Sequence, residues 1–97
     1  PEDVYQAPIL EALVELGGSA PVSAVLERIE GKVGSRLTTY DYQPLPSDPN
    51  QIRWRNSAQW ARMSLVREGL LASDSPRGTW EITPAGREWL VRNKRNV

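Results

Sequence analysis

The sequence predicts a mainly α domain with one small β-hairpin, in the order helix, short strand, helix, helix, hairpin, helix. Three observations predict it. Apolar residues recur at helical spacing in separate stretches of the chain. Two short β runs flank a Pro/Gly turn near Pro76-Arg77-Gly78. Glycine or proline stands at or near most of the boundaries between these elements.

Residues 8–16 put Ile9, Leu10, Leu13, Val14 and Leu16 on a helical period, with Pro8 suited to a first turn and Gly17-Gly18 as the stop. Ser19 to Val22 is long enough only for a scrap of strand. A second helix starts at Ser23 or a near neighbour. Val22, Val25, Leu26, Ile29 and Val33 lie on one side, Glu27, Arg28 and Glu30 on the other, and Gly31 and Gly34 mark a fraying end. Residues 35–50 read as irregular, because Pro44, Pro46 and Pro49 interrupt any regular element. Tyr40, Tyr42 and Leu45 give that stretch something to pack, so it is expected to be an ordered connection. Loops of this length inside a small domain are often functional.

Residues 53–68 carry the clearest helical pattern. Trp54, Ala58, Ala61 and Leu65 fall within about 60° of one another on a helical wheel, while Arg55, Asn56, Gln59, Arg62, Met63 and Arg67 take the opposite side. An earlier start at Asp48 would turn Ile52 away from the core stripe, so a break before Arg53 is expected, and Gly69 closes the helix. Leu70 to Ser73 and Thr79 to Thr83 then form the two arms of the predicted hairpin, with Trp80 and Ile82 on its buried face. Thr83 as N-cap and Pro84 at the first helical position open a last helix, with Trp89 and Leu90 on its apolar side. Three helices followed by a hairpin is the winged helix-turn-helix arrangement, whose third helix lies in the DNA major groove.

A chain of 97 residues supports a single domain, expected over 1–97. It has no cysteine and no histidine, which removes disulfides, thiol and histidine catalysis and the common zinc sites, and no cofactor is expected. No apolar run is long enough for a membrane span, and no leader segment is visible, so a cytoplasmic, non-membrane protein is expected. Glu30-Gly31-Lys32 superficially matches the end of a nuclease metal site, but it falls on a helix with no strand to hold it. The zero net charge hides an uneven split. Residues 1–50 carry eight acidic against three basic residues, a net −5, and residues 51–97 carry nine basic against four acidic, a net +5. A polyanion would meet the second half, where eight of the nine bases are the forked cation Arg.

The third helix is therefore the candidate reading helix. Arg53, Arg55, Asn56, Ser57, Gln59 and Arg62 suit base edges, since Arg forks onto guanine while Asn and Gln fork onto adenine. The plainer reading is a solvated helix face. Arg77, at the tip of the turn, is placed either on a phosphate or minor groove or free in solvent. Trp54, Trp80 and Trp89 read as packing. Trp60 sits at the edge of the basic face, either beside base edges or sealing the helix against the first.

Arg53-Trp54-Arg55-Asn56 with Trp60-Ala61-Arg62, and Arg77-Gly78-Thr79-Trp80-Glu81-Ile82-Thr83 with Gly86-Arg87, resemble the Mrr-type N-terminal winged-helix domain of modification-dependent restriction systems. The resemblance covers residues 5–92 or so; the Pro-rich stretch 40–50, with Tyr40, Asp41 and Tyr42, departs from it and is read as adding contacts to DNA or altering specificity. It implies a non-enzymatic specificity module for double-stranded DNA that senses a methylated base, N6-methyladenine foremost. Trp54 or Trp60 would stand near the methyl group, and a nuclease domain is expected in the same chain beyond Val97. The alternatives are a modification-independent winged-helix regulator of transcription and a winged helix used for protein contact.

Overall fold

In the computed structural model residues 2–94 are described. Four helices enclose one core: α1 (Gln6–Glu15), α2 (Val22–Val33), α3 (Arg53–Arg67) and α4 (Pro84–Lys94). The strands are short: β1 (Ser19–Pro21), β2 (Pro44–Leu45), β3 (Asp48–Ile52) and β4 (Thr79–Glu81). The order and the small antiparallel sheet give a winged helix-like fold.

α1 starts two residues earlier than the apolar pattern suggests, because a 3-10 turn over Glu2–Tyr5 feeds directly into it. That turn carries the Tyr5 ring onto Trp54, stacked with centroids 6.5 Å apart. Pro8 then lies in the first helical turn, where a missing N–H loses no intrahelical bond. Gly17 and Gly18 end the helix with φ of 96° and 105°, a region closed to most side chains. The predicted apolar stripes of α2 and α3 are the core: Val25, Ile29, Ala58, Ala61 and Leu65 are fully buried and Trp54 is 1% exposed. α3 begins at Arg53, after an extended Ile52, as the direction of Ile52 requires.

The wing differs from the expected hairpin. β4 pairs chiefly with β1, Ala20 opposite Trp80, rather than with Leu70 to Ser73. The latter stretch adds a single bridge, Leu71 to Ile82, and an Ala72 N–H bond to Glu81 O at 2.8 Å. The reason lies in the end of α3. Gly69 takes φ 77°, and the N–H groups of Leu70 and Leu71 both turn back to Leu65 O, so these residues finish a helix before they can start a strand. Trp80 and Ile82 are buried as the alternation requires. The turn at Pro76 to Gly78 is tied down, with Thr79 N–H donating to Pro76 O at 2.9 Å and Val22 N–H to Gly78 O at 3.0 Å.

The stretch 35–50 is ordered but not irregular: β2 and β3 form a second hairpin, Pro44 opposite Ile52 and Leu45 opposite Asp48. Its prolines are tolerated because a two-stranded ribbon leaves half its N–H positions facing outward, with no ladder bond to lose.

α4 opens as its sequence indicates. The Thr83 hydroxyl accepts from Gly86 N–H at 3.0 Å and donates to Gly69 O at 2.7 Å, so one side chain caps α4 and secures the exit of α3. Leu90 is buried and Trp89 packs partly buried against the core. Among the described residues, no helix is long and apolar enough to cross a membrane.

Candidate nucleic-acid interface

With Trp54, Ala58, Ala61 and Leu65 locked inward, the 100° step of the helix fixes where every other side chain of α3 stands. Asn56, Gln59, Trp60 and Met63 line one shallow outward depression of about 180 Å³. Trp60 is 51% and Met63 46% exposed, an apolar pair set among amides in the middle of a polar face. Trp60 therefore does not seal α3 against α1.

Arg55 and Arg62 occupy one flank of this face. Arg55 is exposed and borders a cleft of about 390 Å³ shared with Val22, Ser23, Glu27 and Glu30 of α2. The Arg62 guanidinium lies 5.8 Å from the centre of the Trp80 ring, on the side of β4. Its Nε is buried without a hydrogen-bond partner, so the cation leans on an aromatic face rather than on an acid. Arg77 is exposed on the wing turn. Its neighbour Gly78 bonds to Val22, and Val22 borders the same cleft as Arg55, so the wing turn, the start of α2 and this flank of α3 form one continuous side.

Arg53 and Ser57 belong to the other flank. The Arg53 guanidinium stacks 4.3 Å over the Tyr40 ring, again with a buried, unpaired Nε. Ser57 turns into a cleft with Tyr5, Val33 and Asp41, so it does not project with Asn56 and Gln59 as its place on the reading helix suggested. Trp54 is also corrected: with its ring 1% exposed and stacked on Tyr5, it lies inside the core and cannot border a base.

One contributor to this face lies outside the residues the sequence singled out. Met63 was placed on the outer side but not counted with the site, although it stands three residues from Trp60 and four from Gln59, the spacing that makes helix neighbours. The tyrosines of the 40–42 turn, expected to pack or to add contacts to DNA, stay 60% and 42% exposed at the start of α3. The Tyr42 hydroxyl donates to Glu30 Oε2 at 2.8 Å, and this bond to a carboxylate raises the phenol pKa above its ordinary value. Burial, aided by Asp41, raises that of Tyr5.

The acidic half of the chain is partly self-neutralised away from this face. Glu15 on α1 accepts from Lys32 at 2.6 Å and Arg28 at 3.1 Å on α2, which holds its carboxyl below the usual glutamate value. The arginines of α3 and the wing form no ion pair among the described residues, so their charge is available to a partner.

In comparison with known proteins, a family model described as the Mrr N-terminal domain fits residues 3–92. No curated protein and no solved structure matches the chain.

Proposed function

This chain belongs to the Mrr N-terminal domain family, and on that premise we propose that it is a non-enzymatic reading module for duplex DNA, sensing a methylated base, N6-methyladenine foremost, in the major groove. The observation that carries the reading is the outward face of α3, where Asn56 and Gln59 flank an exposed Trp60 and unpaired arginines stand alongside. Amide side chains fork onto adenine N6 and N7, and an apolar ring beside them rewards a methyl group at that edge. Arg55 and Arg62 approach guanines or phosphates on one flank, Arg53 adds charge on the other, and Arg77 reaches the backbone or minor groove from the wing. Trp60, with Met63, takes the place beside the methyl that the resemblance left open between Trp54 and Trp60.

In the full protein the module directs a nuclease domain located beyond Val97. The domain in hand supplies recognition and no bond cleavage.

The test is binding of the purified domain to duplexes that differ only in N6-methyladenine, in a titration of salt. One buried methyl is worth about 0.8 kcal/mol, so a preference of about fourfold is expected from the Trp60 contact alone. With about four phosphate contacts, log K should fall against log salt with a slope near −3.6. Equal affinity for both duplexes would leave a modification-independent reader. Absence of binding at about 50 mM salt, where phosphate contacts are strongest, would leave a protein-contact domain.

A further inference from the structure

We infer that the β2–β3 hairpin is a second base-reading arm, lying in the major groove ahead of α3 and reading base edges through Asn50 and Ser47. The inference rests on the duplex-binding reading above and adds to it a part of the molecule that the reading does not use.

Position comes first. β3 runs without a gap into α3, and the Arg53 N–H, at the first position of the helix, donates to Gln43 O at 3.0 Å. The base of the arm is braced on both sides, by Arg53 over the Tyr40 ring at 4.3 Å and by Tyr42 to Glu30 at 2.8 Å. Wherever the start of α3 goes, this hairpin goes with it in a fixed pose. From Ile52 back to the turn at Ser47 is about four or five residues at roughly 3.3 Å each, a reach of about 15 Å. That corresponds to about four base pairs at a rise of 3.4 Å per pair. The major groove, about 12 Å wide, admits a two-stranded ribbon as readily as a helix.

Chemistry decides what the arm meets there. No Lys or Arg occurs between Arg36 and Arg53, although the helix that follows is strongly basic. An element built to clamp phosphates would carry cations. This one carries Ser47, between Pro46 and Pro49, and Asn50, just after Pro49, and all four are exposed. Its acids are engaged locally: Asp41 accepts from Thr38 N–H at 2.8 Å and Asp48 from Asn50 N–H at 3.0 Å. The second of these bonds fixes the Asn50 backbone, while its side-chain amide makes no hydrogen bond within the described residues. A free amide fork on a stiff arm suits adenine, a hydroxyl suits any base, and the proline rings suit thymine methyls.

The experiment compares the parent domain with Asn50→Ala and Asn50→Asp on a duplex pool randomised on both sides of the α3 site, with melting temperatures measured in parallel. The expected result is a base preference about four pairs beyond the α3 footprint in the parent. Asn50→Ala should lose it by on the order of ten- to a hundredfold, with an unchanged salt slope and an unchanged melting temperature. Asn50→Asp should shift the preferred base, since a carboxylate accepts from cytosine N4–H but cannot donate to adenine N7. If both variants bind every flank as the parent does, the arm reads nothing and the inference falls while the α3 reading stands. A loss of affinity equal on every flanking sequence also overturns it, because the contact would then be to the backbone. If the parent binds no duplex, the α3 reading and this inference fall together.

Discussion

Substituting Gly86 by Ala tests how α4, the end of α3 and the wing are held together. Gly86 is the third residue of α4, and helix propensity alone favours Ala there by about 1 kcal/mol. The packing says the opposite. A Cβ at Gly86 would stand 2.3 Å from Leu70 O and 2.7 Å from Ile82 Cγ1, so something must move by about 1 Å. Leu70 O is backbone and already accepts from Thr83 N–H at 3.1 Å, while Thr83 also bonds Gly69 O and Gly86 N–H. Separating α4 from Leu70 strains or breaks these bonds, at about 1 kcal/mol each, and adds an overpacking cost of about 1–3 kcal/mol. After subtracting the propensity gain, the net loss is about 3–5 kcal/mol, or about 15–25 °C in a domain of this size. The control is Gly31→Ala inside α2, where an added Cβ meets nothing within 4 Å. It should raise the melting temperature by about 4–8 °C through propensity alone. Thermal unfolding followed by circular dichroism reads both. If Gly86→Ala melts at or above the parent, the account of this junction is wrong.

The remaining predictions concern single side chains. Thr83→Val keeps the shape but deletes the hydroxyl that caps α4 and bonds Gly69 O, and should cost about 1–2 kcal/mol in urea denaturation. Arg77→Ala should reduce the magnitude of the salt slope by about 0.9 with base preference unchanged, whereas Asn56→Ala should change preference at one base pair by about 1–3 kcal/mol. Identical behaviour of the two in a gel-shift series would refute the division of roles. Trp60→Ala should abolish discrimination between methylated and unmethylated duplex while the domain stays folded, because the ring is 51% exposed; Trp54→Ala, by contrast, should cost about 3–5 kcal/mol. For Glu15, the Lys32 hydrogen bond, followed by that of Arg28, lowers the folded pKa, so its contribution is present above the unfolded glutamate value and lost as pH falls through the folded one. An NMR titration should find the Glu15 midpoint below the ordinary value, and Glu15→Gln should remove that part of the acid limb.

The clearest parts of the sequence were those in which burial imposes a period. Trp54, Ala58, Ala61 and Leu65 recur at 3.6-residue spacing, and the break before Arg53 followed from where Ile52 would otherwise point. Thr83-Pro84 announced α4 because capping chemistry is local. The pairing of β4 was not legible: three residues carry too little alternation to specify a partner, and β1 lies far away in sequence. The β2–β3 hairpin was hidden by its own prolines, which ordinarily argue against a strand and are admitted here only because the ribbon has two open edges. Within the site, the wheel placed Asn56, Gln59 and Arg55 on the outer side. It could not foresee that the 3-10 turn and the 40–42 turn would cover Ser57, or that Tyr40 would take up the Arg53 guanidinium.

The bond from Val22 N–H to Gly78 O ties the arginine-bearing turn to the first residue of the helix that precedes α3, and the β1–β4 pairing secures it again next door. The gap between Arg77 and the arginines of α3 is thus set before any ligand arrives, like the jaws of a caliper locked at one opening. If the domain reads duplex DNA as proposed, a gauge of that kind would measure the duplex as well as its letters. A-form helices, with their deep and narrow major groove, would be turned away whatever bases they carried.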